Sequence, residues 1–120
     1  PSRKERSRDS FFDWQHGKWH DGSCPCGPCI TSAEAIPDPQ QLRMRLTVNG
    51  DVRQDASTAL QVFSVAEVIA FVSASMVLAP GDLIFTGTPA GVGPLVAGDV
   101  VAGGIDGIGD IGIRIGPAQG

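Results

Sequence analysis

The chain has 120 residues, a size that suits one small domain able to bury roughly 65% of the surface its unfolded form exposes. With 42% hydrophobic and 18% charged residues it is globular rather than disordered, and its net charge of −4 argues against a nucleic-acid partner. No apolar run approaches the about 18 residues that a membrane-spanning helix needs, so a membrane partner is set aside as well.

The first residues are polar. The basic side chains Arg3, Lys4, Arg6 and Arg8 are interrupted by Glu5 and Asp9, which reads as a solvated segment. Nothing at the amino terminus resembles a signal peptide, and the chain begins with Pro1 rather than Met, which is read as a fragment or a processed chain. Asp9 to Gln15 is expected to form a short helix capped by Asp9 or Ser10, with Phe11, Phe12 and Trp14 facing inward and Gly17 ending it. Cys24 to Ile30 is punctuated by Pro and Gly and is expected to be a turn-rich, buried connection. The odd count of three cysteines, with no secretion signal, favours a reducing, cytoplasmic setting. Ile36-Pro37-Asp38-Pro39 is a further turn signal.

Leu42 to Val48 alternates, with Leu42, Met44, Leu46 and Val48 on one side and Arg43, Arg45 and Thr47 on the other, which predicts a half-buried strand. Asn49-Gly50 is a two-residue hairpin turn leading into a short strand from Asp51 to Gln54. Ser64 and Glu67 have the spacing of a capping box, and Val65, Val68, Ile69, Val72 and Met76 then recur at helical spacing. Pro80-Gly81 closes that unit. Leu83 to Phe85 is expected to be a buried strand running into a glycine-rich loop from Thr86 to Gly93. Asp99 to Ala102 and Asp110 to Ile115 are predicted strands joined by a glycine-rich turn from Gly103 to Gly109. The fold class is therefore mostly β with one main helix, an α+β arrangement without βαβ alternation.

Four groups of residues could carry chemistry. His16, His20, Cys24, Cys26 and Cys29 are ligand types that zinc accepts, and they make a small zinc-binding or interaction module the alternative to an enzyme. The order is not that of a zinc ribbon, because one Cys-x-x-Cys stands alone and the histidines precede it. Lys18, between Gly17 and Trp19, is able to stabilise an oxyanion or carbanion, although an exposed lysine is the plainer reading. The Thr86 to Gly93 loop lets a ligand approach the backbone and offers the Thr88 hydroxyl, and a tight structural turn is an equal reading. Asp82, Asp99, Asp106 and Asp110 are hard oxygen donors of the kind magnesium takes, but each sits in a turn context that accounts for it.

These pieces, in this order, resemble the fumarylacetoacetate hydrolase family. Gly17-Lys18-Trp19-His20-Asp21 followed by Cys24-Pro25-Cys26-Gly27-Pro28 is similar to its GKSFDTFCPLGP stretch. Ile36-Pro37-Asp38-Pro39, Val48-Asn49-Gly50 and Arg53-Gln54 resemble its IPDP and VNGE.RQ elements, and Phe63-Ser64-Val65 with Glu67-Val68-Ile69-Ala70 resembles its helix. Leu78 to Gly93 is similar to the most specific family signature, L.PGDVI.TGTPAGVG, and Gly98-Asp99-Val100-Val101 with Gly107-Ile108-Gly109 is similar to the closing PGD.VE.EIEGIG.

The resemblance covers nearly all of the chain and implies that residues 1–120 are the carboxy-terminal portion of a single catalytic domain, part of a mixed β-roll that is a homodimer in the full-length parent. It implies a hydrolase, lyase or isomerase of 1,3-dicarbonyl 2-oxo acids, such as acylpyruvates and aromatic ring-cleavage products. In the complete domain Mg2+ chelates the 2-oxo acid end of the substrate. Lys18 matches the family lysine that assists the enolate charge, and Thr88, beside Gly87, matches the threonine that contacts substrate. The family's metal ligands, a Glu-x-Glu pair and an Asp upstream of the Gly-Lys motif, have no counterpart here, and Ser7-Arg8-Asp9 only resembles the segment that follows the ligand Asp. The metal-binding residues are thus expected before Pro1, and the chain alone is expected to be inactive. Further departures are Gly22 in place of a Thr, Gln61 in place of a Met, and Gly103-Gly104 where a Val/Glu-rich strand begins.

Overall fold

The computed structural model describes residues 20–117. The expected helix from Asp9 to Gln15, the basic run before it, His16 and Lys18 lie outside the described residues.

A four-stranded antiparallel sheet organises the described chain, in the order β2-β1-β3-β4. Strand β1 is Arg43–Val48, β2 is Asp51–Ser57, β3 is Val100–Ile105 and β4 is Gly109–Arg114. The first hairpin turns where the sequence requires it. Asn49 has φ 53° and Gly50 φ 90°, both in the left-handed region that a two-residue turn matching strand twist demands. Asn49 then stitches the two hairpins together. Its side-chain amide donates to Asp99 Oδ1 at 2.9 Å, while its Oδ1 accepts from Val100 N at 2.9 Å. Asp99 Oδ2 also accepts from Val96 N, and these hydrogen bonds hold its carboxyl below the usual aspartate range.

Alternation along β1 works as expected. Met44, Leu46 and Val48 turn to one face, opposite Ile105, Gly103 and Val101 of β3. Val48 and Val101, 6% and 7% exposed, are the buried apolar side chains among the described residues. The other face carries Arg43, whose guanidinium forms a two-armed ion pair with Asp55 on β2 at 2.6 Å and 2.8 Å. That pair is exposed and contributes little to stability.

β1 and β3 pair across a long excursion, residues 49–99, which contains β2, the helix and the glycine-rich loop. The helix, α1, spans Val65–Ser73. Its capping box is complete: Ser64 Oγ accepts from Glu67 N at 3.2 Å, and Glu67 Oε2 accepts from Ser64 N at 2.7 Å. Gln40 anchors the same end, its Oε1 accepting from Val65 N at 2.7 Å and its Nε2 donating to Gln61 Oε1 at 3.1 Å. Replacing Ser64 by alanine should cost about 1 kcal/mol, measured as a shift in the denaturant midpoint. The Ser64 hydrogen bonds also hold the Glu67 carboxyl below its usual range. Their contribution is therefore full above the unfolded glutamate value and fades as pH falls through the folded one, so the Ser64→Ala penalty should shrink in acid.

Several expectations are corrected. Leu83 to Phe85 forms no strand, and Leu83 and Phe85 are 65% and 71% exposed. An apolar run specifies burial only when a neighbouring layer exists to receive it. Cys24 to Ile30 is exposed rather than buried, Ile30 to 95%. β2 continues past Gln54 to Ser57, with a register shift opposite Leu46 and Thr47 that leaves Arg53 unpaired. The glycines at 103 and 104 lie inside β3 rather than in a turn, which shortens the connection to β4 to residues 106–108. A Cβ at Gly104 would meet the Asp110 carboxylate on β4, a side chain that can turn aside. Met76 lies beyond the end of α1 and is exposed.

Candidate functional site

The glycine-rich loop is seated on the apolar face of the sheet by one polar side chain. Gln54 stands on β2 opposite Leu46, at a position where alternation would place an apolar residue. Its Nε2 donates to Thr88 Oγ1 at 2.9 Å and to the Pro89 carbonyl at 3.1 Å. Three residues on, Gly91 packs over the bulged Arg53. A Cβ at Gly91 would overlap the Arg53 carbonyl oxygen, and Gly91 also has φ 104°. Gly87 has φ 105°, which turns the chain between Thr86 and Thr88. The register shift at Arg53 and the two glycines thus act together to bring Thr88 over the sheet.

Thr88 stands between two hollows. One, of about 310 Å³, is lined by Thr86, Gly87, Thr88, Met44, Phe63 and Val68. The other, of about 220 Å³, lies between Thr88, Gly91, Leu46 and Val101. Both have mainly apolar walls with a hydroxyl and an amide at the rim, the usual make-up of a small-molecule site. A third hollow, of about 350 Å³, lies farther along the same sheet face and is lined by Cys29, Met44, Ile105 and Ile111.

Of the residues picked out from the sequence, Thr88 and Gly87 share the first hollow. Lys18 and His16 lie outside the described residues. Among the described residues no three His, Cys, Asp or Glu side chains converge on a point that could hold a metal. Asp82 accepts from Ala79 N at 2.8 Å and Asp99 from Val96 N, so both close turns, in line with their sequence context. Cys24, Cys26 and Cys29 are unbridged and exposed. The Cys24 thiol is held above its ordinary value, first by local shielding and then by the neighbouring Cys26 thiol. The described residues do not by themselves assemble a site for a metal ion, and His16 of the zinc-type set lies outside them. Gln54 was legible only as part of a sequence likeness. The chemical signal that marks it is a polar residue at an inward-facing strand position.

Residues 2–115 match the family model described as fumarylacetoacetate (FAA) hydrolase C-terminal. A 2,4-didehydro-3-deoxy-L-rhamnonate hydrolase of Sphingomonas sp. strain SKA58 is 44% identical over 116 residues, which covers 90% of this chain and 41% of that protein. Among solved structures, maleylpyruvate hydrolase from Sphingobium sp. SYK-6, in complex with manganese(II) and pyruvate, superimposes with a TM-score of 0.81 at 47% identity, over 83% of this chain and 38% of that one. The 5-carboxymethyl-2-hydroxymuconate delta-isomerase of Mycobacterium smegmatis gives a TM-score of 0.86 at 37% identity, over 98% and 45%. The chain spans about two fifths of the length of the curated relatives it matches. Among the described residues, no helix is long and apolar enough to cross a membrane.

Proposed function

The chain belongs to the fumarylacetoacetate hydrolase family, and from that premise we propose that it is the carboxy-terminal portion of a catalytic domain that hydrolyses, cleaves or isomerises 1,3-dicarbonyl 2-oxo acids. Acylpyruvates and aromatic ring-cleavage products are the proposed substrate class. The proposal includes the finer architecture: the four-stranded sheet is one part of a mixed β-roll, and the complete protein is a cytoplasmic homodimer. The observation that carries it is the Thr86 to Gly93 loop, held by Gln54 so that Thr88 borders an apolar hollow of about 310 Å³. Relatives with hydrolase and isomerase names, one of them bound to manganese(II) and pyruvate, support the same chemistry.

In this reading Thr88 and the Gly87 backbone bind the carboxylate end of the substrate. Lys18 is the proposed stabiliser of the enolate, a role for which a fixed ammonium lowers the barrier. Magnesium is the proposed cation of the complete domain, held by carboxylates outside the described residues.

The test is loss of the enol ultraviolet band of an acylpyruvate on adding the complete polypeptide and magnesium. The expected result is turnover that stops when a chelator is added. Turnover that continues in chelator, or none from a complete and folded protein across several 2-oxo acids, would overturn the proposal.

A further inference from the structure

The geometry points to Gln54 as a positioning residue that occupies one acceptor site of Thr88, so that the threonine O–H is left to donate to a ligand. This rests on the reading of Thr88 as a substrate contact and deepens it.

The Pro89 carbonyl has no hydrogen to give. The end of the Gln54 side chain facing it at 3.1 Å must therefore be the amide nitrogen. The same nitrogen lies 2.9 Å from Thr88 Oγ1 and donates its second hydrogen there. Thr88 Oγ1 is thus an acceptor toward Gln54, and its own hydrogen is left to point elsewhere. A ligand group meeting that hydrogen must be an acceptor, such as a carboxylate or ketone oxygen. A ligand hydroxyl or ammonium that needs to donate finds only the one lone pair that Gln54 does not use, and leaves the Thr88 hydrogen unmet.

The cost of this arrangement is visible in the sheet. Gln54 takes a place opposite Leu46 that an aliphatic side chain would fill, and a half-buried amide there is unfavourable unless its hydrogen bonds are made. The loop supplies those acceptors. Two acceptors in a fixed spacing also remove the freedom of the amide to flip, so the polarity is built in before a ligand arrives.

The discriminating variant is Gln54→Glu. Near neutral pH the carboxylate it introduces can only accept, so Thr88 must turn its hydrogen inward, and the nearby Pro89 carbonyl faces a like partial charge. Pyruvate binding by the complete polypeptide, measured by calorimetry with manganese(II) present, should weaken about tenfold, the worth of one hydrogen bond to a charged group, as it should in Thr88→Val. As pH falls toward about 4.3, the ordinary glutamate value, the introduced carboxyl takes up a proton and can donate again. Binding relative to wild type at the same pH should then recover in Gln54→Glu but not in Gln54→Ala. A purely structural role would show no such pH-dependent rescue.

Wild-type affinity in Gln54→Glu near neutral pH, or a loss identical at every pH to that of Gln54→Ala, would overturn the inference. If the wild type fails to bind pyruvate, the proposed function falls. Gln54 is then judged by its side-chain amide resonances: a shift on Thr88→Val upholds the pairing, and unchanged resonances refute it.

Discussion

Replacing Gly91 by alanine should destabilise the fold by about 3 kcal/mol, the sum of a positive-φ penalty for a side chain and a backbone overlap that neither partner can relieve cheaply. At φ 104° a Cβ would meet the Arg53 carbonyl oxygen head-on, and it would also lie 2.9 Å from the carbonyl carbon. Flexible side chains yield to such an intrusion, but the Arg53 carbonyl is main chain held between residues of β2 that do pair with β1, so the loop must lift. Lifting separates Thr88 and Pro89 from Gln54 and opens both hollows. The measurement is a urea midpoint with Gly93→Ala as the control, since a Cβ at Gly93 would meet nothing within 4 Å. Gly93→Ala should change stability little. A midpoint in Gly91→Ala equal to that of the control would show that the loop is not seated on Arg53.

The second large effect is on chemistry. Changing Lys18 to methionine should lower kcat of the complete enzyme by about 10² to 10³, the usual loss on deleting one group that stabilises a developing oxyanion. Methionine keeps much of the lysine stem and removes the charge, so substrate binding should suffer less than turnover. Arginine should not restore the rate, because a planar guanidinium does not reproduce a compact ammonium at the same point. Stopped assays of enol absorbance under saturating substrate would measure it. Turnover left intact by Lys18→Met would remove Lys18 from the mechanism and would leave the Thr88 site standing.

How much of this could be read from the residues depends on range. Local rules worked well. Asn49-Gly50 demanded left-handed backbone and turned, Ser64 and Glu67 formed their box, and the alternation from Met44 to Val48 placed the same side chains on one face. Strand pairing was less legible, because the register shift at Arg53 lies where the loop packs against β2, a contact that no run of residues in β2 announces. The run from Leu83 to Phe85 was misread for a related reason: its apolar character says that it favours burial, but not whether a partner layer stands beside it. At the site, the family signature picked out Thr88, but the side chain that aims it came from a strand 34 residues away in sequence. The likeness to known sequences marked Gln54 without giving it a task.

The pairing of β1 with β3 ties together the two ends of the excursion that carries α1 and the Thr88 loop. Occupancy of the site and integrity of the central sheet are consequently linked quantities. A ligand that needs the loop in place binds only the closed form, and at one hundred times its Kd it adds about 2.7 kcal/mol to the free energy of opening. That increment should be felt across the β1–β3 ladder, where backbone amides would exchange with solvent about a hundredfold more slowly when the site is filled, provided exchange proceeds through the same opening. Small-molecule binding beside Thr88 would thus be recorded in the hydrogen-exchange protection of strands it does not touch.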